Sequence, residues 1–271
     1  MTAPNANFLR RVELQIQAPG GPARTLSGLR VLARARRSLT QTPDASTFSV
    51  FGPAPGSVQD LQTPGCVVRV LAGYRDDLAC VLSGTVRPAT LDVVRQSGEV
   101  VASAEVVDAR VEVRQRAVSR AWDQALASEV IAWAIGAAGL ARGTVRLGTD
   151  IQYVRGFTAL GVVGDVLTQL AEDTGSTLTI QDGVVSFVPA GEQKRASSLL
   201  ISPTSGLIGS PRRMDEGKVE AVCLLAPTLR PGDGYRVQGV DLAGDYRAID
   251  VEIDIDSREG PFYTRIVGAP L

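Results

Sequence analysis

Hydrophobic residues recur with period two over most of this chain, the spacing of strands that bury one face. Val12, Leu14 and Ile16 alternate with Glu13, Gln15 and Gln17, and Leu29, Val31, Ala33 and Ala35 repeat the pattern. Arg30, Arg34 and Arg36 are interleaved on the opposite face of that second run. Phe48 and Val50 precede a Gly/Pro break at 52–56, and strand-like runs return at 67–72, 78–84 and 99–113. Pro64-Gly65 and Ser97-Gly98 mark turns between them. Many short strands separated by turn residues predict a sandwich or barrel.

The period changes near residue 119. Ser119 is placed to cap a helix on which Trp122, Leu126, Val130, Trp133 and Ala137 form one stripe, with Gly139 as its stop. Tryptophans on such a stripe are expected to pack in a core. A second helix is expected after Thr158, with Leu160, Val163, Val166, Leu167, Leu170 and Ala171 on one side and Gly175 beyond its end. Leu178 and Ile180, the dipeptide Asp182-Gly183, then Val185 and Phe187 form a hairpin signal, because both turn positions need φ > 0. Residues 190–198 are polar and basic and read as a linker.

From Leu199 the period returns to two. Val219, Ala221, Cys223 and Leu225 alternate with Glu220, Val222 and Leu224, a strand apolar on both faces. Tyr235, Val237 and Val240 lead into the most regular strand, where Ile249, Val251, Ile253 and Ile255 oppose Asp250, Glu252, Asp254 and Asp256. The predicted fold class is mainly β with an α+β insert. Residues 1–118 form a first β-rich domain, 119–196 an α+β domain of two helices plus a hairpin, and 197–271 a second β-rich domain.

Composition removes whole classes of mechanism. The 271 residues include no histidine, so Ser-His, Cys-His and zinc-His chemistry is excluded. Three scattered cysteines, Cys66, Cys80 and Cys223, suit neither a zinc site nor a complete disulfide framework, and they are expected to be buried thiols of a reducing cytoplasm. No run of 18 apolar residues exists and the N-terminus lacks a basic and apolar leader pattern, so neither stable membrane insertion nor a signal peptide is expected.

The net charge of −1 hides a polarised chain. Residues 1–40 carry seven arginines against one glutamate, and residues 240–260 carry seven carboxylates against two arginines. Opposite ends of opposite sign suit subunit contacts, since complementary potentials steer association. The acidic row Asp250, Glu252, Asp254 and Asp256 is the one constellation that suggests catalysis or a metal. Alternate carboxylates on a strand lie about 6.5–7 Å apart, loose for calcium but compatible with an inverting glycosidase. Their shared flat face without an aromatic platform favours an electrostatic surface instead, either lining a channel or meeting a basic edge formed by Arg30, Arg34 and Arg36. The arginine run at 30–37 also suggests a direct grip on nucleic acid, though it lacks interleaved aromatics. Arg212-Arg213 suits a solvated turn better than a phosphate site, and Gly161–Gly164 lacks the Lys-Ser/Thr of a phosphate loop. No cofactor is expected.

The last seventy residues place several short motifs in order. They are Ser205-Gly206-Leu207-Ile208-Gly209-Ser210-Pro211-Arg212-Arg213, then Leu224-Leu225-Ala226-Pro227-Thr228-Leu229-Arg230-Pro231-Gly232, then Gly260-Pro261-Phe262-Tyr263-Thr264-Arg265. Upstream stand Leu71-Ala72-Gly73-Tyr74 and Leu82-Ser83-Gly84-Thr85-Val86, then Gly164-Asp165-Val166-Leu167 with Leu170-Ala171, Ile180-Gln181-Asp182-Gly183 and Phe187-Val188-Pro189. Together the order resembles the baseplate hub proteins of contractile-tailed bacteriophages. One departure is Asp256-Ser257-Arg258-Glu259-Gly260, where that group has a Gly-Asp-Thr turn. The resemblance implies a structural, non-enzymatic subunit with two tail-tube-like β-barrel or sandwich domains flanking the α+β domain. It implies a homotrimer whose ring joins a sixfold tail tube, or a tube-initiator protein, to a threefold central spike. Other baseplate proteins would be neighbours, and genomic DNA would pass transiently through the ring. The implied location is the virion tail baseplate, assembled in the host cytoplasm. The alternative is a tail-associated cell-wall hydrolase using the acidic residues.

Overall fold

The structure, a computed structural model, describes residues 9–39, 46–75, 77–107, 116–181, 183–196 and 199–271. Alternation becomes strand wherever one face finds a core. In the first segment these strands are β1 (Arg10–Gln17), β2 (Arg24–Ser27), β3 (Val31–Ser38), β4 (Ser46–Phe51), β5 (Val67–Tyr74), β6 (Asp77–Val86), β7 (Asp92–Gln96) and β8 (Glu99–Val107). The Gly/Pro break between β4 and β5 holds a short helix, α1 (Pro55–Gln62), with proline in its first turn, where the missing amide costs nothing. The expected run at 99–113 is strand to Val107, and its remainder lies outside the described residues.

The middle segment contains β9 (Ala117–Trp122), β10 (Ala125–Leu126), α2 (Ala127–Ala138), β11 (Ala141–Val145), β12 (Gln152–Tyr153), β13 (Phe157–Val162), α3 (Val163–Asp173), β14 (Ser176–Gln181) and β15 (Val184–Pro189). Both helices start later than expected. Ser119 lies inside β9, opposite Leu160 of β13, and Leu160 is 74% exposed rather than on a helix face. The reason is a competing alternation: Val118, Arg120 and Trp122 share one face of β9 and lie opposite Gly161, Ala159 and Phe157. The tryptophans still meet, half-buried against the core rather than within it and from different elements, with ring centroids 5.0 Å apart, and Arg120 stacks on both. Helix α2 begins where Glu129 reaches back to accept the Leu126 amide at 3.2 Å. It stops as expected at Gly139 in the left-handed conformation. The β14–β15 hairpin forms in the expected register, Gln181 opposite Val184, with Gly183 at φ 78°; Asp182 lies outside the described residues.

The third segment adds β16 (Leu200–Ile201), β17 (Leu207–Arg213), β18 (Val219–Leu224), β19 (Gly234–Gln238), β20 (Ala243–Asp256) and β21 (Phe262–Pro270). The stretch expected as a linker lies along β19: Arg195 bridges to Asp233, and the Lys194 amide bonds Gly232. Val240 is exposed in the turn before β20. Ile249 sits at a register break between Ala248 and Asp250, so Ala248, Val251, Ile253 and Ile255 hold the core face.

Fourteen of these strands form one sheet, whose main path is β17-β18-β21-β20-β3-β4-β8-β6-β5-β1-β2. The antiparallel pairing of β3 with β20 joins the first and third segments. Leu14, Ile16, Phe48, Val68 and Val70 share a single buried cluster with Val219, Val251, Ile253, Ile255 and Ile266. Each fully buried aliphatic side chain contributes about 1.5–3 kcal/mol, so the cluster binds the two segments more strongly than any surface contact. The middle segment has its own cluster, in which Val130, Ile131, Ile135, Val166, Leu167 and Leu170 of the helices cover Val185 and Phe187. Two glycines of the upstream motifs explain themselves by close approach. A Cβ at Gly73 would collide with the Asp77 carbonyl, and one at Gly84 with the Val107 carbonyl.

Candidate assembly face

The strand register decides where the charged residues go. One face of the sheet is the core; the other carries every second residue of β3, β20, β21 and β18. Asp256 stands opposite Leu32, Asp254 opposite Arg34, Glu252 opposite Arg36 and Asp250 opposite Ser38. Glu252 also faces Arg265 on its other side. The acidic row and the arginines expected as a basic edge are therefore neighbours within one chain.

Their side chains form a ladder of alternating sign. Arg30 donates from Nη2 to Asp256 Oδ2 at 2.8 Å, and Arg34 forks onto Asp254 with 2.7 and 3.3 Å contacts. Arg34 also lies 3.3 Å from Glu252, while Arg36 bonds Asp250 at 2.8 Å. The row continues across β21 and β18: Arg265 stands 3.9 Å from Glu252 and 3.2 Å from Glu220, and Arg212 of β17 reaches Glu220 at 3.1 Å. Five guanidiniums and five carboxylates thus span five adjacent strands. The carboxylates are the inner layer and the arginines the outer one. Asp256 and Asp254 side chains are 5% and 12% exposed, their partners Arg30 and Arg34 42% and 61%.

Burial alone pushes the Asp256 carboxyl up, but the Arg30 bond and the amides of Arg258 and Glu259 outweigh it and hold its pKa below the ordinary aspartate range. Bonds to Asp256 and Asp254 raise the Arg30 and Arg34 guanidiniums in turn. The departure noted at 256–260 has a structural answer here. Asp256 Oδ1 accepts the Arg258 amide at 3.0 Å, and Ser257 Oγ accepts the Val31 amide at 2.9 Å, so this turn is built by side-chain caps.

Other candidates stay apart from this face. Gly161 is the second-last residue of β13 and Gly164 the second of α3. A cavity of about 430 Å³ lies between the halves, walled by Tyr74, Leu199–Ile201 and Cys223–Leu229. Among the described residues no group of three or more Cys, Asp and Glu side chains is placed to hold a metal ion. Sequence reasoning did not single out Arg265, Glu220 or Arg230. Arg265 and Glu220 each alternate with core residues, Thr264 and Ile266 for one, Val219 and Ala221 for the other, which is the signal that places them outward. Arg230 clamps the third segment to the first by donating to the Cys80 carbonyl at 2.8 Å.

No family of known sequences matches this chain, and no curated protein matches it. Solved structures do. It is similar to the 43 kDa tail protein of prophage MuSo2 from Shewanella oneidensis, with TM-score 0.68 and 11% identity over 95% of this chain and 96% of that one. A tail protein from Neisseria meningitidis MC58 matches with TM-score 0.64 and 11% identity over 96% of each chain. An Escherichia coli component of the type VI secretion system, itself described as structurally similar to the phage T4 tail proteins gp27 and gp5, matches with TM-score 0.62 and 13% identity over 95% of this chain and 76% of that one. The chain therefore has the fold of bacteriophage and prophage tail proteins. Within that class it has the mainly β fold expected from the resemblance to baseplate hubs.

Proposed function

We propose that the protein is a structural, non-enzymatic hub subunit of a phage tail baseplate, three copies of which form a ring between the sixfold tail tube and the threefold spike. The observation that carries this reading is the union of two β-rich segments in one sheet with one core, in a fold shared along nearly the full length of two tail proteins. Such a plate offers two β-rich halves per copy, six per trimer, which matches three to six.

The acidic row meets the arginines of one of its two expected settings, Arg30, Arg34 and Arg36, within the same chain. We assign this charge ladder to the channel that passes DNA. A wall whose carboxylates are each matched by an arginine has no net sign along the row, so it neither repels a polyanion nor grips it over several phosphates. The same matching speaks against the cell-wall hydrolase. Asp256 in particular is held low, the wrong direction for a general acid.

The test is removal of this chain from the phage or prophage that encodes it. The expected result is particles without assembled tubes, restored by supplying the chain. Normal infectious tails in its absence would overturn the reading.

A further inference from the structure

The bare edges of the large sheet differ in how they are guarded. Strand β17 carries Gly209, Pro211 and a register break between Ile208 and Arg212, devices that stop another strand from adding. Strand β7 has none of them. Its five residues pair only with β8 among the described residues, and all five are exposed. Val93 and Val94, on opposite faces, are 37% and 44% exposed.

The hairpin that presents β7 is tight. Gln96 faces Glu99 across Ser97 (φ 51°) and Gly98 (φ 84°), a loop whose twist matches that of the strands. The closing pair of such a hairpin exchanges its hydrogen bonds, and the pattern alternates along the ladder. The amides of Val94 and Asp92 therefore turn toward β8, and those of Val93 and Arg95 turn outward. A strand whose outward amides and carbonyls meet no partner strand among the described residues is an acceptor for strand addition.

A second bare edge lies in the same half. Strand β2, Arg24–Ser27, ends the main path and pairs only with β1 among the described residues. We propose that β7 of one copy adds to β2 of the next in parallel register, setting Asp92 beside Arg24 and Val94 beside Leu26. The antiparallel overlap of the same residues sets Arg95 against Arg24, a like-charge contact. Arg24 is anchored through Nε to Asp60 at 2.6 Å and remains 53% exposed, so an incoming carboxylate meets a guanidinium already in place. Because the two edges are unlike, the contact is heterologous and closes into a ring when the rotation allows. The number of copies rests on the hub reading; the contact itself does not.

Mass photometry and sedimentation of the full chain test the contact. Val93→Pro removes an outward amide while leaving those that face β8, and is expected to abolish the oligomer; Val93→Thr is expected to keep it. Asp92→Arg is expected to weaken association about tenfold or more, and adding Arg24→Asp in the same chain to restore it. A Val93→Pro chain that is folded by circular dichroism and assembles like the parent overturns the contact and leaves the hub reading intact. A parent chain that stays monomeric at tens of micromolar overturns it too.

Discussion

Ile253→Ala is the sharpest probe of the seam between the two β-rich halves. Ile253 is 1% exposed and sits on β20 between Ala35 of β3 and Thr264 of β21. Truncation of a buried isoleucine leaves a cavity and costs about 2–5 kcal/mol. For a unit of this size that corresponds to a fall in Tm of roughly 4–20 °C. The assay is thiol labelling read by mass spectrometry. Cys66, in the first half, and Cys223, in the second, are both buried in the shared cluster. Burial raises the Cys66 thiol and pushes Cys223 up to about 12, so neither reacts at pH 8 until its surroundings open. If the halves unfold as one body, both cysteines speed up together, by about 30-fold at the lower bound of the cost. Acceleration of Cys223 alone, with Cys66 at the parent rate, would refute the single core.

The Asp256 carboxyl has a depressed pKa in the folded chain, so its contribution is full above the ordinary aspartate value of 3.8 and is lost as pH falls through the folded value. Thermal melts from pH 6 down to pH 2.5 should show Asp256→Asn with a shallower loss of Tm than the parent; parallel curves would remove Asp256 from the account. Gly84→Val forces a Cβ into the Val107 carbonyl and should lower Tm by several degrees, measured by calorimetry, whereas Gly98→Val meets no atom within 4 Å and carries only the strain of a positive φ. A zymogram on peptidoglycan should show no clearing by the parent chain, and clearing that Asp254→Asn abolishes would establish the hydrolase instead.

Much of the fold was legible in the sequence because burial on one face leaves a period of two. The runs at 12–16, 29–35, 219–225 and 249–255 all hold strands, with β3 starting at Val31 rather than Leu29 and β18 ending at Leu224 rather than Leu225. The helix starts were misread because Trp122 and Leu160 satisfy a helical spacing by coincidence while Arg120 and Ala159 satisfy an alternation that a partner strand rewards. Propensity could not separate them; the pairing of β9 with β13, which sets Ala117 opposite Val162 and Trp122 opposite Phe157, could. The charged face was legible in its members but not in its wiring. Asp254 and Arg34 are separated by 220 residues, and only the topology that sets β3 beside β20 makes them partners. What read as a signed surface at each end of the chain is one compensated surface in the folded protein.

The central claim is the place of this chain on the tail axis, and a cryo-EM map of the assembled tail tests it most directly. The account predicts three copies around the axis at the end of the tube, with Arg34, Asp254, Glu252 and Arg265 facing the lumen. A map that places the chain away from the axis, or in any number other than three about it, contradicts the account.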